Sequence, residues 1–577
     1  MSITRYLTKS RFKLALECPA KLFYTGKTEY ANQKLEDSFL LALAEGGFQV
    51  GELAKCYFPG GHEVKTLDHD QAVNQTKELL QADKVTIYEA ALAAGNLFVR
   101  ADILVKNGNR LSLYEVKAKS FNSEGKTSFL TKKGAISSEW RPFLYDVAFQ
   151  KHVIKQAVPS CEISASLMLV DKTALCPTDG LNQKFQVVRD RNGRSAVVVS
   201  DSLAAADLTP PILCTVNADT ICDQIYAGSD GSKDRDCSFE QWVDFLASKY
   251  ASDSKIQGAV SSTCSSCEFY TTEADEMSGL KSGRKECWQE LLGWEDEDFA
   301  CQTVLDIWSF RKKDTLIEVN RIKLSELTEE DIAPKPDKKP GLSASERQWL
   351  QVEKYQTGDN TAWLDRDGLS REMDRWRFPL HFIDFETTMV AIPFNAGRHP
   401  YEGVAFQFSH HVVDKDGKIE HRGEYLNTAR GVFPNYDFAR QLKAQLENDS
   451  GTIFRYASHE NSFLLMILRQ LQSDRAAIED RDELCSFIMS ITQSSKNAEE
   501  QWAGERNMVD MLELVKRYYY DPATKGSNSI KQVLPALLNS SRYLQETYAR
   551  PIYGAPGGIK SLNFRDWQWI RRDGPQD

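Results

Sequence analysis

The chain has 577 residues, 41% hydrophobic and 27% charged, enough apolar material for sizeable cores in about two to four domains. Its formal net charge of -11 argues against a protein whose whole surface clings to nucleic acid. No apolar run approaches the roughly 20 residues that span a bilayer, which argues against a helical membrane protein and sets the expectation of a cytoplasmic one. The twelve cysteines lack the close, even spacing of a disulfide framework, so any Cys-x-x-Cys pair is better read as a metal or redox site.

Taken in chain order, Thr8-Lys-Ser-Arg-Phe-Lys-Leu-Ala-Leu-Glu-Cys-Pro-Ala-Lys-Leu-Phe-Tyr24 reads as a short helix carrying one cysteine, Cys18, followed by proline. Ala44–Ala54 is helical apart from its glycines and contains Glu52, and Glu89 ends a predicted strand. Two apolar runs, Val99–Val105 and Leu111–Lys117, flank Asn107-Gly108, a favoured tight-turn pair, and predict a β-hairpin. With the turn centred there, Asp102 falls opposite Leu113 and diagonal to Glu115, and period-two alternation puts Asp102, Glu115 and Lys117 on one face. Two carboxylates roughly 7 to 8 Å apart at Cα can share a hard divalent cation, while the lysine steers a water or steadies a phosphoryl oxygen. The same D…ExK pattern also fits a solvated hairpin face with a salt bridge. From Arg100 to Lys155 eleven Lys and Arg stand against five Asp and Glu, a local basic excess able to follow a phosphate backbone. Trp140–Gln150 leads into an amphipathic helix, and Cys264-Ser-Ser-Cys267 and Cys287 come far downstream.

The early cysteine, the late cluster and the D…ExK core between them resemble the iron-sulfur subgroup of the RecB-like PD-(D/E)XK nucleases, which includes AddB. The resemblance implies a restriction-endonuclease-like core over residues 1–300. It makes Asp102 and Glu115 ligands of Mg2+ or Mn2+, adds Glu52 as a further metal ligand, and has Lys117 assist the attacking water. Cys18, Cys264, Cys267 and Cys287 would hold a 4Fe-4S cluster, with Zn2+ as the alternative because four thiolates bind either. Lys119, Tyr145 and Gln150 would be DNA contacts, and Glu89 would support the metal ligands.

Residues 301–377 change character. The basic stretch Trp308–Lys313 is followed by the charged, proline-rich Glu326–Gly341 and a polar break at Tyr355–Asn360, predicting a connector with short helices. Phe378–Thr388 is an apolar strand on which Asp384 and Glu386 share one face and Ile383 and Phe385 the other. Carboxylates at the end of a buried strand call for a partner, and a metal ion is the economical one, although an exposed strand end with two solvated acids also fits. Then come a strand at Thr452–Tyr456, a helix opening at Ala457–Leu464 with Glu460, a strand-to-helix segment Asn507–Val515 with Asp510, and a polar loop into a helix at Lys525–Pro535. This order resembles the DnaQ-like (DEDD) 3′ to 5′ exonucleases of the RNase H-like fold, over residues 378–577. The resemblance implies Asp384, Glu386, Glu460 and Asp510 as metal ligands, Glu460 standing where the family has Asp. The family's closing His or Tyr…Asp motif is not visible in Asn563–Trp567 or Arg571–Asp577, so this domain is expected to be incomplete at its C-terminal end.

As a whole the chain resembles a family of bacterial proteins carrying a C-terminal domain of unknown function. The expectation is an α/β multidomain, metal-dependent DNA nuclease acting on single strands or duplex ends in DNA repair or defence against foreign DNA, with other repair or defence proteins as further partners. The alternatives are a nucleic-acid-binding adaptor with one or both nuclease folds inactive, and an RNA-processing nuclease.

Overall fold

A computed structural model describes residues 5–35, 38–125, 129–189, 195–231 and 237–571, without the side chains of 38–43. The chain is mixed α/β and divides into two units, Met1–Glu295 with Val390–Glu402, and Asp296–Met389 with Gly403–Asp577. The first break, between Glu295 and Asp296, falls close to the expected boundary at 300, and residues 301–377 lie in the second unit. No helix among the described residues is long and apolar enough to cross a membrane.

The first unit opens with α1 (Lys9–Glu17), capped by Thr8, whose hydroxyl accepts the Arg11 N–H at 3.4 Å, and stopped at Cys18 ahead of Pro19. After α2 (Ser38–Cys56) come β1 (Lys84–Ala94), β2 (Leu97–Asn107) and β3 (Arg110–Phe121), an antiparallel meander. The helix α3 (Arg141–Ala157) crosses over to β4 (Glu162–Asp171), parallel to β3, and β5 (Leu213–Asn217) pairs antiparallel with β4. Helices α4 (Phe239–Ala251) and α5 (Gly283–Leu292) follow. Short strands Leu7–Thr8 and His62–Glu63 add parallel to β2 and β1, completing a seven-stranded sheet. On β3, Leu111 and Leu113 are fully buried in the core that α3 covers, and Glu115 is the next residue on that face. Phe12 of α1 stacks on Phe149 of α3 with ring centroids 4.5 Å apart, so α1 is anchored to the same core.

The hairpin between β2 and β3 is two residues out of the expected register. Asn107 pairs with Arg110 and Leu104 with Leu113, so the turn is Gly108-Asn109, with Gly108 at φ +61°, and Asp102 stands level with Glu115 rather than Leu113. A shift by an even number keeps every side chain on its face. Asp102, Glu115 and Lys117 accordingly still share one.

In the second unit the segment expected as a connector builds a small core of its own. Val304, Ile307 and Leu324 pack with Val352 of α6 (Ala344–Thr357), and buried Arg347 of α6 donates to the Val515 carbonyl at 3.3 Å. The main sheet has β6 (Leu380–Thr388) at its centre. On one side lie β7 (Val404–Val413) and β8 (Ile419–Leu426), antiparallel; on the other lie β9 (Ile453–Arg455) and β10 (Val509–Asp510), parallel. Helices α7 (Asn435–Leu446), α8 (His459–Ser473) and α9 (Arg481–Ile491) bury Leu442, Leu464, Ile467 and Ile488 against it, and α10 (Met511–Tyr518) follows β10.

Candidate active site and cysteine pocket

Adjacent strands bring three acids of the first unit into one row. Tyr88 pairs with Ile103 and Ala90 with Ala101, which leaves Glu89 opposite Asp102, and Asp102 in turn stands level with Glu115. Glu89 was expected at a strand end. It lies instead in the middle of β1, at φ +55°, a left-handed conformation that costs a non-glycine residue about 1 kcal/mol and marks a position held by its surroundings. All three acids line a cleft of about 740 Å³, together with Glu52, Lys9 and Lys117. Just beyond Lys117, β3 bulges against β4, the pairing stepping from Lys117 with Leu169 to Ser120 with Val170.

Within this cleft Glu115 is completely buried, and a buried charge persists only if it is paired. Lys9 reaches Glu115 at 3.0 Å and Asp102 at 3.1 Å, Lys117 bonds Glu115, and Gln150 of α3 donates to Glu115 at 2.8 Å. Burial opposes the charged form of Glu115, but Lys117 and Lys9 outweigh it and hold the carboxyl well below its usual range. Asp102 moves the other way, pushed up by burial and by the Glu115 charge, while the Val116 N–H donates to its Oδ2 at 2.8 Å. Lys117 also pairs at 3.0 Å with Asp146 of α3; despite burial, Glu115 and Asp146 keep its ammonium well above the ordinary lysine range. Glu89 is raised to about 6 by burial and then by Asp102. Two ammoniums, Lys9 and Lys117, thus balance three carboxylates, Asp102, Glu115 and Asp146, with Glu89 beside them. Lys55, Lys65, Arg100, Glu52 and Glu63 also line this open cleft, so its basic and acidic side chains are equal in number.

The expected residues separate into groups. Asp102, Glu115, Lys117 and Glu52 line one cleft, Glu52 bound at 2.7 Å to Lys55. Two of the three expected DNA contacts, Tyr145 and Gln150, are buried. Tyr145 is 1% exposed, with its hydroxyl donated to Asp230, so the core claims its ring. Gln150 is wholly buried and holds Glu115 and Asp146. Lys119 pairs with Glu139 at 2.7 Å and lies over the Trp140 ring. Lys9 and Asp146 were missed. Both come from helices far from the hairpin in sequence, and the only trace of Lys9 is its place one residue after the α1 cap.

The four cysteines singled out from the sequence line a single pocket of about 270 Å³. Cys18 comes from the end of α1, Cys264 and Cys267 from one loop, and Cys287 from α5. The Tyr24 hydroxyl lies 3.3 Å from the Cys287 sulfur. Burial raises the Cys18 and Cys287 thiols and pushes Cys267 up to about 11. No disulfide joins any of the twelve cysteines. Among the described residues no three His, Cys, Asp or Glu form a preformed metal-ion group.

In the second unit Asp384 and Glu386 are exposed on β6 while Ile383 and Phe385 are buried, the alternation expected. Glu460, in the first turn of α8, is 3% exposed, and its Oε2 has no hydrogen-bond partner among the described residues. Burial, then Asp384 and Asp510, push its carboxyl up to about 7. Asp510 accepts from the Leu512 N–H at 3.0 Å and the Ala457 N–H at 2.9 Å, and pairs with buried Arg455 at 2.9 Å. Of the closing segment, residues 572–577 lie outside the described residues.

A domain of unknown function, DUF2779, matches residues 381–529. No curated protein and no solved structure matches the chain.

Proposed function

We propose that the first unit is a divalent-metal-dependent nuclease that hydrolyses phosphodiester bonds in DNA, and that its setting is DNA repair or defence against foreign DNA. The observation that carries this reading is the row Glu89, Asp102 and Glu115 across three adjacent strands, with Lys117 beside it in an open cleft. The succession of α2, three antiparallel strands, α3 and a parallel β4 supports a PD-(D/E)XK core.

The acids present suit a hard cation. Asp102 and Glu115 would hold Mg2+ or Mn2+, which supplies Lewis-acid polarisation of a phosphoryl oxygen and a more acidic water. Asp102 is oriented by the Val116 N–H and Glu115 by Gln150, so both carboxylates are fixed before anything binds. Lys117 stays protonated between Glu115 and Asp146 and presents a fixed positive charge at the cleft; its role is to orient a water or phosphoryl oxygen rather than to take a proton.

Cys18, Cys264, Cys267 and Cys287 would hold a 4Fe-4S cluster that ties α1 to α5. Zn2+ is the alternative occupant of the 270 Å³ pocket, since four thiolates bind either group.

For the second unit, the order β8-β7-β6-β9-β10 with acids on its centre strand supports an RNase H-like, DnaQ-type domain. The test for the first unit is Lys117→Ala with DNA substrates in Mg2+ and Mn2+. Cleavage is expected to vanish while folding and salt-sensitive DNA binding persist; undiminished cleavage would refute the assignment. No cleavage by the wild-type chain, with binding retained, would favour the adaptor reading.

A further inference from the structure

Lys9 stands where the chemistry just proposed needs something else. Its ammonium lies 3.1 Å from Asp102 Oδ1, 3.0 Å from Glu115 Oε1 and 3.3 Å from Glu115 Oε2. A single donor bridging both carboxylates takes the position of a shared cation, and its three N–H bonds meet three carboxylate oxygens of a pair that would otherwise repel. Lys117 is placed differently, between Glu115 and Asp146 on the flank of the pair.

We propose that Lys9 is a resident counter-ion of this site, and that divalent-metal binding is an exchange in which its ammonium leaves Asp102 and Glu115. This rests on the metal-dependent reading of the first unit. The exchange is a side-chain movement and not a withdrawal of α1. Phe12 and Ala15 fix the helix in the core, Phe12 is stacked on Phe149, and the helix ends at Cys18 in the cysteine pocket. The Lys9 side chain is 24% exposed and lines the open cleft, so its four-carbon stem can swing the ammonium out to water without disturbing the backbone. While it is in place, Lys9 keeps buried Glu115 and half-buried Asp102 satisfied in the absence of metal. The consequence is a weaker apparent affinity for metal, because every ion that enters must displace two charge-assisted interactions.

The experiment is Mn2+ binding to the full chain by titration calorimetry, for wild type, Lys9→Met and Glu115→Gln, with no nucleic acid present. Lys9→Met is expected to bind Mn2+ at least about tenfold tighter than wild type, the equivalent of one charge-assisted hydrogen bond no longer opposed. Glu115→Gln is expected to lose the site. Equal or weaker binding by Lys9→Met, with wild type binding normally, overturns the inference and leaves the metal site standing. If none of the proteins binds Mn2+, both the inference and the metal-site reading fail.

Removing Lys9 also leaves two carboxylates facing each other, one of them buried, so a second measurement uses the wild-type chain alone. Acylation of lysines by acetic anhydride, read by mass spectrometry, is expected to be slow at Lys9 in EDTA and to accelerate when Mn2+ saturates the protein. Unchanged or slower labelling with Mn2+ bound overturns the exchange.

Discussion

Replacing Glu460 with Gln is expected to stabilise the second unit at pH 8 and to leave it unchanged at pH 4. The Glu460 carboxyl is 3% exposed, its Oε2 has no partner among the described residues, and burial with Asp384 and Asp510 lifts it from an ordinary 4.5 to about 7. Below pH 4.5 the group is protonated in both folded and unfolded chains, so it costs nothing. Between 4.5 and 7 the unfolded chain releases the proton while the folded one keeps it, and stability falls as pH rises. Above 7 both states are ionised and the penalty is constant, (7 − 4.5) × 1.36, or about 3 kcal/mol. Gln cannot ionise and nearly matches Glu in shape, so the variant escapes that penalty. The assay is urea unfolding in EDTA from pH 4 to 8, followed by hydrogen exchange in peptides covering α8 so that the second unit is read separately. A stability difference that does not change with pH, or a loss of stability at pH 8, would refute the electrostatic reasoning.

Three further perturbations test the first unit. Glu89→Gly removes the cost of φ +55° and is expected to raise its stability by about 1 kcal/mol while weakening Mn2+ binding; lower stability in urea unfolding would show that the left-handed conformation is unstrained. Glu115→Ala strands Lys9 and Lys117 beside a cavity and should cost about 3 to 5 kcal/mol, whereas Glu115→Gln, which keeps the volume and can still bond Gln150, should cost less; equal thermal shifts would contradict the ion-pair account. Gly258→Ala places a methyl 3.3 Å from the Cys18 sulfur and 3.3 Å from the Ala20 methyl, narrowing the cysteine pocket without removing a ligand. Its iron and sulfide content after oxygen-free purification is expected to fall with circular dichroism unchanged; full iron content would exclude that route into the pocket.

The residue order by itself determined which side chains share a face. Period two puts Glu115 with Lys117 and Asp384 with Glu386 whatever the register, and Asp102 with Glu115 for any even shift, which is why a turn displaced to Gly108-Asn109 left the D…ExK face intact. The resemblance to iron-sulfur nucleases likewise singled out Cys18, Cys264, Cys267 and Cys287, which share a pocket. Only the tertiary structure decided what those faces meet. It brought Lys9 onto carboxylates 93 and 106 residues away, set Glu89 opposite Asp102, drew Tyr145 into the core and turned Gln150 onto Glu115. It also built residues 301–377 into the second unit and returned Val390–Glu402 to the first. The reason is physical. Backbone geometry repeats every two residues in a strand and can be read locally, whereas the partner of a buried charge is chosen by packing between elements distant in the chain, where the cost of leaving Glu115 unpaired outweighs any local preference.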